Sequence, residues 1–169
     1  MAARVAKIAM VLCLAVFAFL VAFTNVTDTG GNMPFVSHVL SMDTTFGSPA
    51  VGYRAIDVPW VWTVAFWTIV AGEALTAVLF AAAGLRMLAA REAPAAAFNR
   101  TKGLVHLAAL SGFLVWFLGF MAIGGEWFLM WQSETWNGQE PAFRFYVTIL
   151  LVLLYVTRDD AELIQSPRN

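Results

Sequence analysis

Four long apolar runs divide the chain: Ile8 to Thr24, Trp60 to Leu85, Leu104 to Ile123, and Phe143 to Thr157 with its flanks. A hydrocarbon core about 30 Å thick takes about 20 helical residues, so the second and third runs are comfortable spans. The first and last need flanking helix to complete them. The pattern predicts an all-α integral membrane fold, a four-transmembrane-helix bundle forming one domain over residues 1–169. Spans are expected at about 7–25, 60–86, 103–124 and 141–158, with outer loops at 26–59 and 125–140 and a third loop at 87–102. The plan is two helical hairpins joined by the alanine-rich linker Ala89 to Ala97, in which Pro94 is a breaker.

The polar stretches have periods of their own. Asn25 to Pro59 is too long for a plain connection and is expected to be structured. From Pro34 to Met42 it places Phe35, Val36, Val39 and Leu40 on one stripe, with Ser37, His38 and Ser41 off it, which predicts a short interfacial helix. In the second outer loop Trp127, Met130, Trp131 and Glu134 recur at steps of three and four, so span three is expected to run on past Gly124-Gly125 as an amphipathic turn. Trp60, Trp62, Trp127, Trp131 and Trp136 then form an aromatic belt whose simplest reading is anchoring, with ligand stacking as the alternative. Each outer loop holds a Gly-Gly pair and ends near an arginine, Arg54 or Arg144, which is too little to establish a duplication. Gly72, Thr76, Ala77 and Ala81 on span two, with Ser111, Gly112 and Gly119 on span three, are expected to let helix backbones approach closely in lipid.

Composition supports the membrane assignment: 60% of the residues are hydrophobic and 12% charged, which excludes an ordinary soluble domain. Basic residues orient the bundle. Arg4, Lys7, Arg86, Arg91, Arg100, Lys102, Arg158 and Arg168 fall on one side of the spans, and only Arg54 and Arg144 on the other. By the positive-inside rule both termini and the third loop are expected to be cytoplasmic, with the outer loops periplasmic and mildly anionic. The basic start and apolar core of the N-terminus resemble a signal peptide without a clean cleavage site, so an uncleaved signal anchor is expected. The single cysteine, Cys13, allows no intramolecular disulfide. The Asn25-Val26-Thr27 sequon lies too close to the membrane to be a good acceptor.

Glu73 changes the picture most, as the only acid within an apolar stretch long enough to cross a bilayer. A charge there costs about 2.5–3.5 kcal/mol on insertion scales, so a partner or a function is required. Counted from the span ends, Trp116 sits at a similar depth and Ser111 about a turn lower, which makes their N–H and O–H groups the expected partners. The structural reading is interhelical glue; the functional ones are a proton or cation relay, or contact with another membrane subunit. On the outer side Arg54, Asp57, Glu126 and Arg144 flank span ends. They are expected to form salt bridges across the hairpins, Glu126 with Arg144 in particular, with a headgroup pocket on the two arginines as the alternative. His38 and Met42, with Met33 and Asp43 near, are a weak soft-metal or haem-ligand set, more simply read as loop packing. No metal site and no cofactor is expected. No phosphate loop, zinc spacing, serine-histidine-acid set or nucleic-acid stripe is visible.

The strings His38-Val39-Leu40-Ser41-Met42-Asp43-Thr44-Thr45-Phe46, Arg54-Ala55-Ile56-Asp57 and Glu73-Ala74-Leu75-Thr76 carry a resemblance. So, above all, does the stretch from Gly124 through Trp127, Trp131 and Trp136-Asn137-Gly138-Gln139 to Arg144. Over about residues 5 to 157 the chain resembles the bacterial family of predicted small integral membrane proteins labelled domain of unknown function 2165. The resemblance implies a bacterial inner-membrane, multi-pass location and four spans, and transfers no activity. Claudin-type proteins share the outline, but the cysteine pair expected in their first loop is missing. The expected function is non-enzymatic: an accessory subunit whose outer loops dock a membrane or periplasmic partner or a second copy, or organise lipid. His38, Met42, Asp43, Trp127, Trp131, Trp136, Asn137 and Gln139 are the docking or anchoring candidates. The alternative is a small proton-coupled or ion-conducting transporter centred on Glu73, and less favoured is a metal site or membrane enzyme.

Overall fold

A computed structural model describes residues 1–163; Arg168, counted above among the orienting residues, lies outside the described residues. Six helices follow in order: α1 (Ala2–Thr27), α2 (Thr29–Ser41), α3 (Pro59–Ala89), α4 (Ala95–Thr101), α5 (Gly103–Phe113) and α6 (Gln139–Val156). α5 continues without a break into a π-helical segment, Leu114–Trp127. Four helical stretches are long and apolar enough to cross a membrane: Ala2–Thr27, Pro59–Ala89, Ala95–Trp127 and Gln139–Val156. The two runs that looked short are completed by polar flanks that stay helical. α1 begins before Arg4 and ends beyond Asn25, and its 26 residues reach about 39 Å at 1.5 Å each.

Local chemistry sets the boundaries. Asp28 leaves helical geometry, and its side chain accepts a hydrogen bond from the Gly31 N–H, so the chain turns from α1 into α2 there. α2 stops at Met42, whose left-handed backbone (φ 56°) returns its N–H to Val39. Pro59 opens α3, where its missing N–H costs nothing, and Pro94 precedes α4. The π-helical segment has no sequence signal that a period-3.6 reading would catch. It ends at Trp127, and the chain reverses through Leu129 (φ 56°) into a 3-10 turn, Met130–Gln132. The expected amphipathic continuation from Trp127 to Glu134 is therefore replaced by a reversal that buries Met130 and leaves Trp127 and Trp131 half exposed.

α1 packs along α3, α3 against α5, and α6 against the π-helical segment. Val11, Phe80, Met87, Phe98, Val105, Trp116, Ile149 and Val156 form the main core. Close approach uses small residues, as expected, at two of the positions named. A Cβ on Gly72 would meet Val115 at 2.6 Å, and one on Gly112 would meet Ile149 at 2.7 Å. Gly119 does not take part: the nearest atom to a Cβ there is a backbone oxygen at 3.8 Å. Gly84, which sequence reasoning passed over, makes another such approach: a Cβ there would meet Leu12 at 2.5 Å.

The start of α1, the stretch from Arg91 to Lys102, and residues 158–162 are hydrogen-bonded together at one end, here termed basal. At the opposite, distal end the two long connections fold on each other. Val39, Met42, Phe128 and Met130 form a second small core, and Val36 with Phe66 and Val70 a third, so the apolar stripe of α2 is used as its spacing predicts. Thr44 Oγ1 donates to Ser133 Oγ (2.8 Å), the Phe46 N–H donates to Gln132 Oε1 (3.0 Å), and the Ile56 N–H donates to the Leu40 carbonyl (2.8 Å).

Candidate functional site

Glu73 lies on the inward face of α3, 2% exposed. Its Oε2 accepts a hydrogen bond from Asn25 Nδ2 at 2.8 Å, across from the last turns of α1. That contact corrects the partners expected from depth. Ser111 is paired with Thr76 (Oγ to Oγ1, 2.9 Å), one turn below, and Trp116 makes no hydrogen bond to the carboxyl group. Counting heights missed Asn25 because it stands at the very edge of the first span, one residue past the apolar run that ends at Thr24. An amide one residue past an apolar run is the signal that was available.

Trp116 instead forms a wall. It is fully buried between Phe17 (ring centroids 5.8 Å) and Phe145 (5.6 Å). Trp116 and Phe145, with Phe35, Phe66 and Phe120, line a cavity of about 240 Å³ whose polar lining includes Glu73, Asn25 and Asn32. The cavity runs between Glu73 and the distal residues Gly138 and Pro141. A larger groove, about 470 Å³, is nearly all apolar and lies between α2, α3 and the π-helical segment.

The distal charges do not form the expected cluster. Arg54 turns its guanidinium over the Trp127 ring (4.9 Å) and donates at 3.4 Å to the Trp127 carbonyl. Arg144 pairs with Glu140 one turn earlier on α6, so the expected Glu126 to Arg144 bridge is absent, and Asp57 and Glu126 make no ion pair among the described residues. The physical reason is local: a partner four residues away on the same helix is reached without crossing to another element. His38 Nδ1 and Asp43 Oδ2 share a hydrogen bond at 2.6 Å, and the imidazole stacks on Trp136 (4.6 Å, 11°). Met42 points into the distal core, so His38 and Met42 are not brought together as ligands. Asn137 caps the start of α6 by accepting from the Gln139 N–H (3.1 Å), and the Gln139 side chain lies where a Cβ on Gly125 would be. Trp136 and Trp62 are tied into the cap, Trp62 Nε1 donating to the Ile56 carbonyl at 2.7 Å. Trp60, Trp127 and Trp131 stay exposed.

At the basal end sequence reasoning missed a polar core. Lys7 and Lys102, with side chains 4% and 5% exposed, both donate to Asp160 Oδ2, at 2.7 and 2.6 Å, and to the Arg158 carbonyl. Arg4 is buried over the Phe98 ring (4.7 Å) and donates to the carbonyls of Arg91, Ala93 and Ala161. Burial disfavours the Asp160 carboxylate, but hydrogen bonds and charge from Lys102 and Lys7 outweigh it and hold its pKa below the usual value. Two lysines, an asparagine at 99 and an aspartate two residues past Arg158 are the pattern that would have pointed to it.

The family described as predicted small integral membrane protein, domain of unknown function 2165, matches residues 3–159. No curated protein and no solved structure matches the chain.

Proposed function

Because the chain belongs to this family of small integral membrane proteins and is a multi-pass protein of the bacterial inner membrane, we propose that it works as a non-enzymatic accessory subunit whose distal end docks a partner. In this reading the four spans are two hairpins with both termini cytoplasmic, α2 lies at the membrane interface, and the distal loops are periplasmic. The observation that carries it is the cap itself. Two connections with few regular elements are locked together by side-chain hydrogen bonds and a small core, yet Phe46 (74% exposed), Tyr53 (73%), Trp127 (50%) and Trp131 (48%) are turned outward. Rigid aromatic side chains on a rigid support are the composition of interface anchors. A photocrosslinker at Trp131 should give a discrete adduct in native membranes, lost on Phe46→Ser with folding unchanged. Monomer alone, recovered repeatedly after crosslinking, counts against docking. Reporter fusions after Arg91 and near Gly47 should read cytoplasmic and periplasmic; the reverse would move the docking face to the cytoplasm.

A proton or cation relay at Glu73 is the second reading, favoured by the cavity that it lines. Reconstituted vesicles should then show a flux that Glu73→Gln abolishes. Equal flux in both proteins would remove it.

A further inference from the structure

The Glu73 cavity has a composition that neither docking nor a proton relay requires. Its one carboxyl receives a single hydrogen bond, from Asn25, and no lysine or arginine pairs with it among the described residues. Five aromatic residues, Phe35, Phe66, Trp116, Phe120 and Phe145, supply much of the wall. We propose that this cavity binds a small organic ammonium ion, its charge set against the Glu73 carboxylate and its alkyl groups against the aromatic rings.

Three properties of the site lead to that class of ligand. A carboxylate at this depth without a counter-charge is costly, and a bound cation removes the cost. Aromatic faces attract cations most strongly when the cation is poorly hydrated, and quaternary ammonium groups are the usual occupants of such cages. The rings are also held in place, since Trp116 is clamped by Phe17 and Phe145 and buried to 1%. A hard metal ion fits poorly: calcium takes about six to eight oxygens and magnesium about six, and the cavity offers one carboxyl group and two side-chain amides. The volume, about 240 Å³, has room for a small ammonium and a few waters at about 30 Å³ each.

The site is also closed toward the basal end. The cavity reaches Gly138 and Pro141 at the distal side, while beneath Glu73 the Thr76–Ser111 hydrogen bond is followed by Ala77, Phe80 and Ala83, all buried. The ligand therefore has an opening at the distal side and none through the basal core, and binding does not require passage. The proposal is independent of both readings above: vesicles without flux leave it standing, and a distal face without a partner does not touch it.

The test is calorimetry and thermal melting of the full chain in nanodiscs, with choline chloride and its neutral carbon isostere 3,3-dimethylbutan-1-ol as probes, at constant ionic strength. Saturable choline binding with a raised Tm is expected, at least tenfold weaker for the isostere. Glu73→Gln should lose that preference. Phe66→Leu, which keeps an apolar wall without the ring, should weaken choline at least threefold and leave the isostere unchanged, so the outcome does not hang on one variant's folding. Equal binding of choline and isostere to the wild-type protein, no binding of either, or choline binding undiminished in Glu73→Gln would each overturn the proposal and leave the cavity to water and a neutral acid.

Discussion

At the basal end Arg4, Lys7 and Lys102 are buried against one carboxylate and a set of backbone carbonyls. The distal end carries Asp28, Asp43, Asp57, Glu126, Glu134 and Glu140, buries none of them, and closes instead on Val39, Met42, Phe128 and Met130. The difference lies in how each end fails. Buried charges must be matched, and removing one partner leaves the others desolvated and unpaired. An aromatic and aliphatic cap loses contact area in proportion to what is cut away. The basal end should therefore be brittle and the distal end graded, which suits a distal surface free to vary its exposed residues.

Asp160→Asn is the sharpest way to break the contrast. It leaves Lys7 and Lys102 buried without a counter-charge, and the loss expected for breaking a buried pair is about 3–5 kcal/mol, read by denaturation in mild detergent. A loss under about 1 kcal/mol would mean that the Arg158 carbonyl and Asn99 suffice. The same carboxylate sets a pH dependence. Its folded pKa is depressed, so its contribution is fully present above the unfolded value, about 3.9, and is lost as pH falls through the lower folded value. Melting temperature should fall on acidification below about pH 4 in the wild type, and less steeply in Asp160→Asn.

Trp136→Ala is the matching test at the distal end. It removes the stack on His38 and the edge contact with Phe35. For a fully buried aromatic the cost is about 3–5 kcal/mol; Trp136 is only partly buried, so about 2 kcal/mol is expected. A crosslinked adduct that persists in this variant would show that the exposed aromatics dock independently of the cap's core. A loss as large as that of Asp160→Asn would erase the contrast between the ends.

The spans and their order were legible, because apolar runs of bilayer length have few alternative explanations. So was the weight of Glu73, since an acid in that setting demands one. Its partner was not: Asn25 falls one residue beyond the apolar run, and helix α1 simply continues through it. The basal cations were visible as orienting residues, but counting charges says nothing about burial. Lys7, Lys102 and Asp160 become neighbours only once three chain segments meet. The π-helical stretch left no trace in the pattern, and its end at Trp127 is why the three- and four-residue spacing of Trp127, Met130, Trp131 and Glu134 misled.

Arg54→Ala should have a smaller effect, about 1 kcal/mol, because the guanidinium makes partly exposed cation–π contacts with Trp127 and the adjacent Tyr53 and long hydrogen bonds to the carbonyls of Glu126 and Trp127. Arg54→Lys keeps the charge but not the planar fork and should recover only part of it. Full recovery by lysine would show that charge alone, and not the stack on Trp127, holds the two distal segments together.

The smallest effect belongs to Arg144. Its partner is Glu140, four residues earlier on α6, with side chains 70% and 76% exposed, and such pairs contribute about 0.3–0.5 kcal/mol. Glu126 is exposed and unpaired among the described residues, so Glu126→Ala should be near neutral and the Glu126 and Arg144 double variant strictly additive. Coupling of about 1 kcal/mol between them would establish the bridge the sequence suggested and make the distal end charge-dependent after all. Coupling between Glu140 and Arg144 alone, falling away at high salt, would confine distal electrostatics to the helix surface.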